Sequence, residues 1–195
     1  MTEQEVGRVK VDLALIHYPV LNKNQEIIGS AVTNLDLHDI ARAAKTYGVD
    51  SFYIVTPYAD QQELFRELLD HWLKGHGSTY NAKRGEALAL VSFCDDLDRL
   101  LERVTEKWQE RPTVLVTCAR EKHPSVWPYQ LVRRKVASGE SFLILLGTAW
   151  GLAGEVIDAA NGMLPPISGS GAYNHLSVRS AAAIVLDRIL GPREE

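Results

Sequence analysis

Short apolar runs alternate along this chain with longer stretches whose apolar residues recur every three or four positions. That alternation restricts the folds open to it more than any other feature. Residues 11–16, 51–55, 87–93, 113–117 and 141–146 read as strands. The last of them, Ser-Phe-Leu-Ile-Leu-Leu, carries no charge, as a strand covered on both faces requires. Residues 37–47 place Ile40, Ala41, Ala44 and Tyr47 on one helical face and stop at Gly48, a residue suited to a left-handed terminus. Asp36 stands where it could cap that helix. Residues 60–74 carry Leu64, Leu68 and Trp72 beside Phe65, 95–107 carry Leu97, Leu100, Leu101 and Val104, and 130–137 form a short basic helix. Strands joined by helices of this length pair in parallel through right-handed crossovers, so an α/β fold with a parallel sheet is predicted.

Two glycine-containing turns flank the end of this pattern. Gly147-Thr148-Ala149-Trp150-Gly151-Leu152 follows the uncharged strand at once, and a helix is expected from near Ala153. A second loop, Leu164-Pro165-Pro166-Ile167-Ser168-Gly169-Ser170-Gly171, leads through Tyr173, Asn174 and His175 into the small-residue helix that begins around Leu176. Ligands of open parallel sheets bind beyond the carboxyl ends of strands. Thr117-Cys118-Ala119, the Gly147 turn and the loop from Ile167 to Gly171 are three such ends, offering free backbone groups and apolar walls. An adenine with a thioether or sulfonium group suits a pocket of that kind.

Composition narrows the function classes. The 195 residues carry 21 Lys and Arg against 25 Asp and Glu, a formal charge of -4, which argues against indiscriminate coating of nucleic acid but permits a local basic patch. The length suffices for one sizeable core, and no Pro/Gly/Ser-rich linker divides it, so a single domain over 1–195 is expected. Cys94 and Cys118 lie in apolar runs without metal-type spacing and read as reduced core thiols. The six histidines show no zinc spacing. No run approaches a membrane span, and Met1–Glu5 lacks the character of a secretory leader. A cytoplasmic protein without a metal is the expectation.

With these segments in view, the chain resembles the SPOUT class of S-adenosylmethionine-dependent RNA methyltransferases. The resemblance rests on Leu145-Leu146-Gly147-Thr148-Ala149-Trp150-Gly151-Leu152-Ala153-Gly154-Glu155, on Leu176-Ser177-Val178-Arg179-Ser180-Ala181-Ala182-Ala183-Ile184, and on Asn34 to Ala44 followed by Tyr47-Gly48-Val49. It covers nearly the whole chain, with its specificity between residues 141 and 186, and is nearest to a bacterial subgroup without an assigned RNA target. It implies a C-terminal trefoil knot, an exception to unknotted topology, and a homodimer in which the first and last helices pack together, engaging Ile184, Leu186 and Ile189.

It also implies S-adenosyl-L-methionine as cofactor, with adenine held by backbone groups near Leu146, Gly147, Ile167 and Leu176. Thr117, Cys118, Thr148, Gly151, Gly171 and Ser177 would complete that site. RNA is the implied substrate, base or ribose, with no metal needed because a sulfonium methyl is already electrophilic. The chain departs from the class in reading Ser177 and Arg179 where Asn and Ser are usual, and Trp150 where an acidic residue is common. A binding protein that keeps the fold without methyl transfer is the alternative, and a flavodoxin-like nucleotide binder is a third.

Each site residue also has a plain structural explanation. Arg42 and Arg179 are the candidates for work at the reacting centre. Arg42, opposite the apolar face of its helix, reads equally as a solvated arginine. Arg179 opens a helix whose dipole does not favour a cation, so it calls for a compensating partner. Asn34, Asp36, Tyr173 and Asn174 are candidates for substrate contact, as are Arg133 and Arg134 with Lys135, and Lys83-Arg84 elsewhere, for phosphate. Short basic runs are commonly solvated helix faces. Trp150 stacks on substrate or packs on the sheet. His17, after the first strand, is either a proton acceptor or a hydrogen-bonded structural histidine.

Overall fold

The structure, a computed structural model, describes residues 8–119 and 123–192; the leader reading of Met1–Glu5 lies outside them. Its elements follow the order β1 (Val11–Ile16), β2 (Val20–Leu21), β3 (Ile27–Ile28), α1 (Asn34–Thr46), β4 (Ser51–Val55), α2 (Ala59–Leu73), α3 (His76–Tyr80), α4 (Ala82–Leu88) and β5 (Val91–Cys94). The second half continues with α5 (Leu97–Trp108), β6 (Thr113–Val116), α6 (Tyr129–Ala137), β7 (Phe142–Gly147), α7 (Gly154–Asp158), β8 (Gly162–Met163) and α8 (Val178–Leu190).

Among the described residues, six strands form a sheet in the order β5-β4-β1-β7-β6-β8, every pair parallel. The first strand lies at its centre, pairing Val11 with Phe142 through Ile16 with Gly147 on one side and Asp12 with Ser51 through Ile16 with Val55 on the other. Leu13, Leu15, Ile144 and Leu146 pack on one face with Leu37 and Ile40 of α1 and Val185 and Leu186 of α8. Ala14, Ile16, Leu143 and Leu145 pack on the other with Leu100 and Val104 of α5 and Val156 and Ile157 of α7. Covering on both faces is why β1 and β7 read as continuous apolar runs.

The sequence reading departs from the structure in several places, among them α3, β2 and β3, which it did not foresee. Residues 87–93 were expected as one strand, but Asn81 caps α4 by accepting from the Arg84 amide, and Ala87 and Leu88 are buried as the end of that helix. The strand begins only at Val91, because an apolar run this short serves a buried helix end as well as a strand. Thr33, not Asp36, caps α1; its hydroxyl accepts from the Asp36 amide and donates to the Asp36 carboxylate at 2.6 Å. Leu186 and Ile189 are buried in this chain's own core, which leaves half-buried Ile184 as the outward member of that trio. The two-residue β8 was not foreseen, since so short a strand has no periodicity.

One charge is buried at the amino end of the sheet. Asp12 is fully buried and accepts from Lys107 and, at 2.7 Å, from Trp108 Nε1. Lys107 also donates to Asp50 at 2.7 Å, and Arg8 pairs with the same carboxylate. Burial opposes charge on Lys107, yet the hydrogen bonds to Asp12 and Asp50 outweigh it and raise its pKa. Removing one partner of such a buried pair leaves an uncompensated charge. Lys107→Ala is therefore expected to destabilise the protein by about 3 kcal/mol in urea unfolding. Arg99→Ala, which breaks exposed pairs to Asp95 and Asp96, should cost under about 1 kcal/mol; equal losses would contradict the assignment.

Candidate active site at the carboxyl edge of the sheet

The expected strand ends do meet. Thr117, just past β6, is bound to β7 twice, its amide donating to Leu145 O at 3.0 Å and its hydroxyl to the same oxygen at 3.1 Å. The Leu164 amide donates to Val116 O at 3.0 Å, so the second loop starts beside Thr117 and Cys118. Asn174, further along it, donates to Ala119 O at 2.7 Å. The first glycine turn is pinned from the side by the residues after β1: Trp150 N donates to Leu21 O at 3.0 Å and Leu21 N to Gly151 O at 2.9 Å.

Glycine answers different needs within these loops. A Cβ at Gly147 would lie 2.8 Å from Leu152 N, so the turn folds back against its own strand and Gly147→Val strikes protein before it reaches a ligand. Gly151 has φ +107°, a left-handed conformation that excludes most side chains. Gly169 and Gly171 have nothing within 4 Å of a Cβ, so space alone does not require them. The side chain of Leu146 is in the core, which leaves its backbone for any ligand. Half-buried Ile167 and exposed Leu176 supply apolar surface, and Trp150 and Tyr173 stand 60% and 79% exposed. Open backbone between apolar walls fits an adenosyl group. A cleft of about 540 Å³ elsewhere, lined by Asp98, Leu101, Glu102, Thr105, Glu106 and Arg111, draws on none of these residues.

A chain of hydroxyl groups connects the first turn to His17. Thr148 Oγ1 donates to Ile16 O at 2.9 Å; with its one proton spent there, it accepts from Ser30 Oγ at 2.5 Å. Ser30 in turn hydrogen-bonds His17 Nδ1 at 3.0 Å. The far ring nitrogen, Nε2, is buried and without a hydrogen-bond partner among the described residues. Burial lowers the His17 pKa to about 4, partly opposed by the charge of Asp36. So weak and enclosed a base is poorly matched to proton removal at neutral pH; the structural reading of His17 is the better one. Ser30, which completes the chain, carries no signal in the sequence.

Several residues singled out from the sequence are already engaged. Arg179 donates to Asp36 at 2.9 Å and lies 3.5 Å from Asp39, so its compensating partner is α1 itself. Ser177 caps α8, accepting from the Ser180 amide. Arg133 was considered for phosphate, but its guanidinium donates to the carbonyls of Arg188, Ile189 and Gly191 at the end of α8, where unpaired carbonyls attract a cation. Arg134 is exposed, Asn34 opens α1 in solvent, and Arg42 projects from α1 away from this edge toward α4.

The buried neutral His17 makes a pH prediction. Its folded pKa of about 4 lies below its ordinary 6.5, so the unfolded chain binds more protons between those values. Stability attributable to this group is complete above pH 6.5 and falls as pH drops toward 4, by up to about 3 kcal/mol. His17→Asn keeps a donor toward Ser30 but cannot titrate. Its urea-unfolding stability should therefore lose less than the wild type's over that range, and parallel losses would refute the assignment.

Comparison with known proteins places the chain. A sequence profile described as SAM-dependent RNA methyltransferase matches residues 10–191. The tRNA (guanine-N(1)-)-methyltransferase of Oleidesulfovibrio alaskensis is 43% identical over 190 residues, which are 97% of this chain and 44% of that protein; the chain thus spans less than half of that relative. Among solved structures, the TrmH/SpoU tRNA modifying enzyme of Aquifex aeolicus superposes with TM-score 0.57 at 12% identity, covering 93% of this chain and 74% of that one. The SpoU methyltransferase AviRb of Streptomyces viridochromogenes, solved with AdoMet (S-adenosylmethionine), gives TM-score 0.57 at 14% identity over 95% of this chain and 58% of that one. At such identities these two establish the shared SPOUT-type fold, and the profile establishes the family. The chain belongs to the SAM-dependent RNA methyltransferases.

Proposed function

We propose that this chain transfers a methyl group from S-adenosylmethionine to a nucleotide of RNA, with tRNA as the substrate class. The observation that carries the reading is the convergence of the Gly147–Gly151 turn, Thr117–Cys118 and the 164–177 loop at one sheet edge, within the segment the family profile matches. Bound there, the cofactor supplies an electrophilic methyl on a positive sulfur. The chain's part is to hold and orient: backbone of Leu146, Gly147 and Ile167 around the adenine, Thr148 fixed through Ser30, and Trp150 and Tyr173 placed to stack on a base. The tRNA target comes from the Oleidesulfovibrio relative, which is named for guanine N1 but is more than twice as long as this chain.

The proposal includes one SPOUT-like domain with its knot and cofactor site between about residues 141 and 186. Support for a threaded chain comes from the segment after β6, which is held at both described ends. Ser125 and Trp127 hydrogen-bond with Met163 of β8, and Ala119 with Asn174. It also includes a homodimer in which the first and last helices pack together, with Ile184 of α8, Leu35 of α1 and Leu176 before α8 as apolar contributors. One observation favours the non-catalytic alternative: Arg179, a candidate for the reacting centre, is occupied by Asp36 and Asp39.

Calorimetric titration should show S-adenosylmethionine binding at roughly micromolar affinity, about 8 kcal/mol, with ATP and FMN inert. Selective FMN binding would overturn the cofactor, and cofactor binding without methyl incorporation into any tRNA would favour the non-catalytic reading. Light scattering should give twice 21.7 kDa; a monomer would remove the proposed interface.

A further inference from the structure

A second cluster of functional groups lies on α1, away from the strand ends. Arg42 of α1 faces Asn81, Lys83 and Arg84 at the start of α4 across a cleft of about 210 Å³. One of these cations is braced from behind: the Arg84 guanidinium lies over the Trp72 ring at 4.7 Å, and the His38 ring meets Trp72 edge-on at 5.5 Å. Arg84 Nε and His38 Nδ1 are buried without a hydrogen-bond partner among the described residues. Burial, and then the charges of Arg84 and Arg42, hold His38 below its ordinary pKa, as expected of a ring beside two cations.

No carboxylate is among the residues that line this cleft. Arg8, Lys10, Lys74, Arg99, Lys107, Lys135 and Arg179 each have a carboxylate within 4 Å. Arg42, Lys83 and Arg84 have no ion pair among the described residues, although acidic side chains outnumber basic ones. Three cations converging on one cleft, the Arg84 guanidinium held in place by Trp72, have the charge and the donors to receive a phosphate group. Arg42 follows Asp36 by six residues on one helix, about 9 Å of rise. A strand seated here would thus run past the end of α1 toward the sheet edge where the loops converge.

We infer that the Arg42–Lys83–Arg84 cleft binds the phosphodiester backbone of the RNA substrate beside the methyl-transfer site. The inference rests on the proposed RNA methyltransferase reading. It assigns the basic pair at 83–84 and Arg42 to one site, though they lie about forty residues apart in sequence.

The test compares wild type with Arg42→Gln/Lys83→Gln, both exposed positions, using fluorescence anisotropy of a labelled tRNA transcript over a range of salt. S-adenosylmethionine affinity and thermal unfolding are read on the same samples. The variant should bind the transcript roughly tenfold more weakly, with its salt slope shallower by about 1, and with cofactor affinity and Tm unchanged. Inorganic phosphate as competitor at constant ionic strength separates the sources. If the variant loses phosphate binding but binds the transcript as wild type does, the cleft serves a free anion and the inference fails. Wild-type RNA affinity and slope in the variant would also overturn it, leaving the methyltransferase reading intact. A parallel loss of Tm would make the cleft a structural feature. Wild type that binds cofactor but no RNA would sink the broader reading, and this inference with it.

Discussion

The pairing of β1 with β7 is the constraint on which the carboxyl edge depends. It sets Ile16 opposite Gly147, and from that register Thr148 Oγ1 reaches Ile16 O while Ser30 closes the link to His17. A slip of one residue would turn every side chain of β1 to the opposite face, placing Leu13 and Leu15 where Ala14 and Ile16 now pack. Both cores therefore enforce the register, and the small polar chain at the edge inherits its geometry from apolar packing.

Charge is distributed unevenly over the two ends of the sheet. At the amino end, Asp12 is fully buried and bonded by Lys107 and Trp108, which offset only part of the cost of burying its charge, so that burial still raises its pKa; the loss of either partner is costly although the net contribution of the pair need not be large. At the carboxyl end, Arg179 ties the start of α8 to Asp36 and Asp39 on α1. The latter contact joins the last helix to the first, next to the loop that leads into it. An arginine in the first turn of a helix gains nothing from the dipole; here its partners on a neighbouring helix supply the reason for it.

The family assignment and the geometry bear on different questions. The profile match over residues 10–191 establishes ancestry and cofactor class. The structure shows which side chains already have partners: Arg133 at the end of α8, Ser177 at its start, Asn174 with Ala119. What remains open at the edge is mostly backbone, with Trp150, Tyr173 and Leu176 as its exposed apolar surface.

The sequence by itself determined the α/β class, the central strands, the two loops at their ends and the family, because uncharged runs, helical periodicity and glycine turns are local signals. Boundaries failed where local signals are ambiguous: Ala87 and Leu88 suit a buried helix end as well as a strand, and Thr33 takes the cap that Asp36 could have filled. Only the tertiary structure decided partnerships. That Ser30 bridges His17 and Thr148, that Arg179 answers Asp36, and that Arg42 meets Lys83 and Arg84 all follow from contacts across 13 to 143 residues of chain. Side-chain chemistry at each position was visible beforehand, but which groups neutralise one another and which stay free depends on packing between distant helices and strands. That packing is set by burial of the whole sheet rather than by any one segment.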